Sequence, residues 1–159
     1  MALKLPDEII SRNDVVRLVR ELASLDDFLL QAKLRKPGES MTLPRLSRLL
    51  EDTAAVNSLN LLTEKDRIAL TTVLVEVRDK APQVHISFAT DPSSAFMKKI
   101  VVWFRTEVHP VTLVQVGLQP SIAAGCTLRT TNHYIDMSLR NSFVEKQSVL
   151  VELLRKETV

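Results

Sequence analysis

The first half of the chain has apolar residues at helical spacing. Between residues 11 and 36 they recur at steps of three and four, which predicts one amphipathic helix. Its expected inward stripe is Val15, Leu18, Val19, Leu22, Leu25 and Leu29. Ser11 or Asn13 is the candidate N-cap. The segment at 37–40, which contains a Pro-Gly pair, is expected to end the helix.

Two further helices are predicted before residue 83. The segment 43–60 places Pro44 in a first-turn position and Leu46, Leu49 and Leu50 on one side. In the segment 62–82, Thr63 followed by Asp66 is typical of a capping arrangement, and a proline closes the helix. The first half is therefore expected to be entirely helical.

The second half changes to the alternation of apolar and polar residues that is typical of strands. Strands are predicted at 83–90, 111–118, 125–131 and 133–137, and helices at 91–110 and 138–157. Ser93 or Ser94 is the candidate cap of the first of these helices, and Asn132 lies near the predicted hairpin turn. The residues expected to point inward from the two helices are Phe96, Ile100, Trp103, Phe104, Leu139, Phe143, Leu150 and Leu154.

This order of elements predicts an α+β fold. A helical N-terminal module, residues 1–81, is followed by a small β-sheet domain with packed helices, residues 82–159, in the order β-α-β-β-β-α. Aromatic residues make up only 4% of the chain, so the core is expected to be aliphatic.

Charge and hydropathy narrow the class of protein. Residues 1–81 carry 13 basic and 13 acidic residues, and residues 82–159 carry 8 and 6. Neither half has the concentrated basic character of a nucleic-acid-binding protein. The longest apolar runs are far shorter than the ~20 residues that span a bilayer, and the N-terminus lacks the apolar run of a signal peptide. We expect a soluble protein, with a single Cys that fits a reducing compartment.

The reactive residue types offer few arrangements for catalysis. Cys126 and His133 lie on neighbouring strands of a predicted hairpin, where a nucleophile and a base could meet, but the favoured interpretation is that Cys126 is a small core residue and His133 a turn residue. The histidines at 85, 109 and 133 are each 24 residues apart, which matches no metal-binding motif. With three glycines, the chain has no phosphate-binding glycine-rich loop. We expect no catalytic residue, no cofactor and no metal.

Trp103 and Phe104 are adjacent aromatic residues in the predicted helix 91–110. Such a pair is able to stack on a base or another flat ligand. A role in the core is favoured, because the pair stands at helical spacing with other apolar residues.

A polar cluster marks the end of the last predicted strand. Ser138 is placed to cap the closing helix, and Asp136 is placed to accept backbone N–H bonds there. Arg140 follows in the first helical turn, where the helix dipole gives it no stabilisation, so we expect it to pair with Asp136. The cluster is interpreted as a strand-to-helix junction.

The stretch TLVQVGLQPSIAAGCTLRTTNHYIDMSLRNSF resembles the C-terminal signature of the delta subunit of F-type ATP synthases, the counterpart of the oligomycin-sensitivity-conferring protein. Ala124-Gly125 stands at the usual glycine pair, and Leu128-Arg129 follows. Ile135, Asp136 and Ser138 take the places of the Ile-Asp-x-Ser motif, with Arg140 in the next helix. Ala124 replaces one glycine of the pair, and Met137 replaces the glycine between Asp and Ser.

The resemblance covers about 75 residues and implies a non-catalytic stator subunit. In that family the N-terminal bundle binds the alpha subunits of the catalytic head, and the C-terminal domain binds the peripheral-stalk b subunits. The resemblance implies a structural role for Gly125, Asp136, Ser138 and Arg140. It also implies a cytoplasmic location, peripheral to the inner face of the cell membrane, without direct membrane insertion.

Two alternatives stay open. One is a peripheral-stalk-like protein or a regulator of a flagellar export ATPase, in which a similar domain caps a helical stalk. The prolines at 37 and 44 interrupt the long coiled coil that such proteins carry. The other alternative is a small enzyme that uses Cys126.

Overall fold

The computed structural model describes residues 4–34, 44–122 and 124–157. These residues form six α-helices, one short 3₁₀ turn and a four-stranded mixed sheet. Three helices precede the first strand, and the order after them is β-α-β-β-β followed by two helices. The predicted α+β fold is confirmed.

Helix α1 spans Arg12–Leu34 and begins at a reciprocal cap. The Ser11 hydroxyl accepts a bond from the Asp14 N–H at 3.3 Å, and the Asp14 carboxylate accepts from the Ser11 N–H at 2.8 Å. Ser11, not Asn13, is therefore the cap, because the pairing satisfies donors that have no partner within the helix. The predicted helix end at 37–40 lies outside the described residues.

Helix α2 spans Arg48–Val56, and its N-cap is Ser47, whose hydroxyl accepts from the Leu50 N–H at 3.2 Å. The prediction that Pro44 stands in the first turn was wrong, since the helix starts four residues later. Glu21 explains the later start: its carboxylate accepts bonds from both the backbone N–H and the hydroxyl of Ser47. The cap is thus fixed by a contact with α1 that the local sequence does not reveal.

Helix α3 spans Glu64–Lys80, and Thr63 is its N-cap residue. The Thr63 side chain makes no capping bond, so the predicted Thr63–Asp66 arrangement was wrong. The Asp66 carboxylate instead accepts from the Asn60 N–H at 3.0 Å. Asp66 therefore orders the turn before the helix and leaves the cap without its side-chain bond.

The core of the helical part is aliphatic, as the low aromatic content predicted. Helices α1 and α3 pack together, and α2 packs on α1. The buried cluster contains Leu5, Ile9, Val15, Leu18, Leu22, Leu50, Leu70, Leu74, Val77 and Leu113. Of the predicted stripe on α1, four residues are fully buried, while Val19 and Leu29 are half-buried.

Arg105 holds the segment before α1 in place. Its guanidinium donates to the backbone carbonyls of Leu5, Pro6 and Ile9, with a distance of 2.8 Å to Pro6. Asp7 lies 3.9 Å from the same group. Burial lowers the pKa of Arg105, and the charges of the nearby acids oppose that effect. A buried guanidinium with three carbonyl acceptors makes residues 5–9 part of the packed structure.

The four strands are β1 (Gln83–Phe88), β2 (Leu113–Leu118), β3 (Gly125–Arg129) and β4 (Tyr134–Ser138), and their order in the sheet is β2-β1-β3-β4. Strand β1 pairs antiparallel with β3, and β3 pairs antiparallel with β4. The β3–β4 turn covers residues 130–133, where the Thr130 N–H donates to the His133 carbonyl at 2.9 Å. The predicted hairpin at Asn132 is confirmed.

Helix α4 spans Ser94–Glu107 and is capped by Ser93, whose hydroxyl accepts from the Phe96 N–H at 3.3 Å. Its buried face consists of Met97, Val101 and Phe104, at steps of four and three. Phe96 and Trp103 are about half exposed, so their predicted inward orientation was wrong. The helix has apolar residues on more than one side, and the buried face is the one that contains Met97, Val101 and Phe104.

Two helices follow β4, α5 (Leu139–Glu145) and α6 (Gln147–Glu157), where a single closing helix was predicted. Leu139 and Phe143 are exposed, so their predicted inward orientation was also wrong. The side chains of Leu150 and Leu154 lie outside what the structure describes. None of the helices in the described ranges combines the length and apolar character needed to cross a membrane.

Contacts within the chain group into two compact units. The helical unit comprises Met1–Pro82 and Lys98–Leu113, and the sheet unit comprises Gln83–Met97 and Val114–Val159. Helix α4 contributes its first turn to the sheet unit and its remainder to the helical unit. The predicted boundary between two domains, at residues 81 and 82, stays a prediction.

Candidate functional site

Gly125 starts strand β3 in a conformation that favours glycine. Its φ is +91°, and a Cβ there would overlap the backbone carbonyl of Met137 on strand β4. Just before it, the Ala124 carbonyl accepts a hydrogen bond from the Leu139 N–H at 2.9 Å. Residues 124 and 125 therefore sit directly against the point where β4 becomes α5. Because a side chain at 125 would strike backbone, this close approach requires glycine.

Asp136 lies on β4 opposite Thr127 and orders the end of its own strand. Its Oδ1 accepts the Ser138 N–H at 2.8 Å. Hydrogen bonds from the Ser138 hydroxyl and N–H, followed by the charge of Arg140, hold the pKa of Asp136 below its ordinary value. The carboxylate is thus kept ionised as a hydrogen-bond acceptor, in the way that was predicted for it.

Ser138 is the register partner of Gly125, and it is buried although its neighbours on β4 are exposed. Helix α5 begins at the next residue. Gly125, Asp136 and Ser138 are therefore brought together at one corner of the sheet unit. Arg140 lies in the first turn of α5, where it acts on Asp136 through its charge.

The helices after this corner carry large exposed apolar side chains. The C-terminal apolar side chains, as we call this set, are Leu139, Phe143, Val144, Val149 and Val151. Phe143 has 67% of its surface exposed. Exposed apolar side chains in this number are typical of surfaces that contact another protein.

The helical unit has a hollow of about 250 Å³ between α1 and α3. Leu30 and Ile68 supply exposed apolar surface, and Lys33 pairs with Glu64 at 3.1 Å. Deeper in, buried Arg67 pairs with Asp26 and donates to the Leu61 carbonyl at 2.9 Å. This α1–α3 hollow combines exposed apolar side chains with two ion pairs, a mixture that suits an amphipathic helix.

The structure does not bring Cys126 and His133 together. Cys126 pairs with Met137 near the start of β3, whereas His133 lies in the turn at the other end of the hairpin. Arg129, the last residue of β3, is three positions and roughly 10 Å along the extended strand from Cys126. His133 lies in the turn beyond Arg129. Burial also raises the pKa of the Cys126 thiol. Neither the spacing nor the thiol's environment favours a nucleophile and base pair.

The three histidines lie on separate elements: His85 on β1, His109 after α4 and His133 in the β3–β4 turn. Across residues 4–34, 44–122 and 124–157, no group of three His, Cys, Asp or Glu side chains comes together as ligands for a metal ion. Trp103 packs edge-on against Phe104, with ring centroids 4.9 Å apart. Phe104 is buried, as predicted for the pair, whereas Trp103 has 57% of its surface exposed.

Comparisons with known proteins add no relative to these observations. No protein-family model matches the chain, and no curated protein is significantly similar to it. The α+β class therefore follows from the structure. The residues of the corner and the two apolar surfaces are the features of the molecule that bear on its function.

Proposed function

We propose that this chain is a non-catalytic stator subunit of an F-type ATP synthase. It links the peripheral-stalk b subunits to the alpha subunits of the catalytic head during proton-driven ATP synthesis. The observation that carries the proposal is the corner at Gly125, Asp136 and Ser138. Gly125, Asp136 and Ser138 match the delta-subunit signature, and each has a role in the backbone geometry of the corner. A sequence motif that maintains a fold, and not a reaction, should have roles of this kind.

The exposed apolar surfaces support a linking role. A connector needs two separate contact areas, and each unit supplies one: the α1–α3 hollow in the helical unit and the C-terminal apolar side chains in the sheet unit. By the resemblance, the first binds N-terminal helices of the alpha subunits and the second binds C-terminal helices of the b subunits. The protein then works in the cytoplasm, held at the inner face of the membrane by its partners.

Calorimetry with two peptides tests this proposal. The alpha peptide is the N-terminal segment of the alpha subunit, and the b peptide is the C-terminal segment of the b subunit, both from the same organism. Ile68→Glu, in the hollow, should weaken only the alpha peptide, and Phe143→Glu only the b peptide, each by about tenfold or more. Lys65→Ser on α3 and Lys146→Ser after α5 are matched controls that should bind as the unaltered chain does. Absence of binding to both peptides at about 50 μM would remove the proposal.

A further inference from the structure

One face of the sheet unit is polar: the strand register places His85, Ser87 and Arg129 on it, and Asp136 of the corner lies on the same face opposite Thr127. On β1, Val84, Ile86 and Phe88 are buried, and His85 and Ser87 alternate with them. Successive side chains of a strand point to opposite faces, so His85 and Ser87 lie on the other face of the sheet. This second face also carries Arg129, the register partner of His85.

His85 and Arg129 are direct register partners across β1 and β3. Opposed residues of an antiparallel pair place their side chains next to each other on one face. No carboxylate of the described residues pairs with either side chain within 4.0 Å. A guanidinium and an imidazole are thus adjacent, and both supply N–H groups whose hydrogen bonds an anion is able to accept.

Gly117 on β2 sets the position of the His85 ring. A Cβ at residue 117 would lie 2.8 Å from Nε2 of His85 and 3.2 Å from the Ser87 hydroxyl. The imidazole therefore extends over bare backbone, which a larger residue would not permit. Since the φ of Gly117 is not positive, glycine is needed there for this contact and not for the backbone angle.

These side chains border an open hollow of about 340 Å³ on the polar face. Its polar lining residues are Gln83, His85, Gln115, Arg129, Thr130 and Thr131. The guanidinium, imidazole, amide and hydroxyl groups all supply hydrogen-bond donors, and no acid is among the lining residues. Asp136 lies on the neighbouring strand β4 and on the same face of the sheet, but it does not line the hollow, and its carboxylate accepts from the Ser138 N–H.

We propose that this hollow binds a phosphate group, either as free phosphate or as a phosphate ester. Arg129 would form the charge-assisted contact, since a guanidinium fits two oxygens of a phosphate. His85 and the Thr131 hydroxyl would donate to the remaining oxygens, whereas the Thr130 hydroxyl bonds to the backbone of His133. A tetrahedral anion uses donors from several directions, whereas a planar carboxylate leaves some of them without an acceptor. The proposal does not depend on the stator role, because none of the residues that line the hollow belongs to the corner or to either apolar surface.

Calorimetry and amide chemical shifts of the full chain test the site, with inorganic phosphate as the first probe. We expect saturable binding in the range of about 1 mM. The shift changes should centre on residues 83–85, 115 and 129–131. Glycerol 3-phosphate distinguishes an ester site from a site for the free ion, since a tighter ester indicates the former. Acetate is the carboxylate comparison, and binding equal to that of phosphate would overturn the assignment of the ligand class.

Single substitutions distinguish binding of phosphate in this hollow from non-specific binding of anions to positive charges elsewhere on the surface. Arg129→Gln and His85→Gln should each weaken phosphate binding by about fivefold or more. Gly117→Ala, which keeps both groups but displaces the His85 ring, should also weaken it. Arg155→Gln on α6 is the matched control and should leave binding unchanged. No saturation below about 50 mM, or equal affinity in Arg129→Gln with its melting temperature preserved, would overturn the proposal.

Discussion

Gly125 and Ser138 face each other across β3 and β4 so closely that a Cβ on the glycine would lie 3.0 Å from the Cα of the serine. The Met137 carbonyl is closer still. The start of one strand and the end of the next are therefore in backbone contact, and the positive φ of Gly125 makes that contact attainable.

Replacing Gly125 with alanine should destabilise the sheet unit. Positive φ and overlap with backbone act together, so we expect a loss of about 1–3 kcal/mol in the free energy of unfolding. Chemical denaturation followed by circular dichroism measures it. Gly117→Ala is the comparison, because there the overlap is with a side chain that is able to turn aside. An equal loss in both variants would contradict this account of residue 125.

Asp136 should make stability depend on acid pH. Its pKa is lowered in the folded chain, first by the Ser138 hydroxyl and then by the Ser138 N–H. The stabilisation is therefore present above the carboxyl's ordinary pKa of about 4 and is lost as pH falls through the lower folded value. Melting temperatures between about pH 6 and pH 2 should fall less steeply in Asp136→Asn than in the unaltered chain. Parallel curves would show that this carboxylate contributes no pH dependence.

Arg105→Met should destabilise the helical unit strongly. The substitution keeps much of the side-chain volume but leaves the carbonyls of Leu5, Pro6 and Ile9 without their shared donor. We expect a loss of about 2–4 kcal/mol in the free energy of unfolding. Arg48→Met is the control: its side chain is 93% exposed and its ion pair with Asp52 lies at the surface, so its loss should stay near zero. Similar losses in the two variants would refute the anchoring role.

The thiol of Cys126 should react slowly. Since burial raises its pKa, the thiolate fraction near neutral pH is smaller than in free cysteine. Alkylation by iodoacetamide at pH 7 should therefore proceed no faster than with free cysteine. A faster reaction that saturates with reagent would revive the cysteine-dependent enzyme as an explanation.

The parts of the fold that are determined by short stretches of sequence could be predicted. Ser11 and Ser93 were each one of two candidate caps, and the strands were placed within a few residues, because capping and alternation are properties of short segments. Thr63 was misjudged because Asp66 bonds to Asn60 instead. On α4, Phe96 and Trp103 were predicted to lie on one apolar side with Ile100 and Phe104, but the buried face runs through Met97, Val101 and Phe104.

The site was predictable in part for the same reason. Asp136 and Ser138 are two residues apart, so their hydrogen bond is local and the sequence indicated it. The contact of Gly125 with Met137 and the pairing of His85 with Arg129 need the register of the sheet. That register joins positions 44 residues apart in the case of His85 and Arg129, and no short motif reports it.

The anchoring of residues 5–9 by Arg105 also constrains the order in which the protein folds while it is being synthesised. The arginine is 99 positions downstream of Pro6. A ribosome that has released only the first three helices has not yet delivered the donor for those carbonyls. Residues 5–9 therefore reach their native contacts only after α4 has been synthesised. Folding of the helical unit is complete only when most of the chain has left the ribosome.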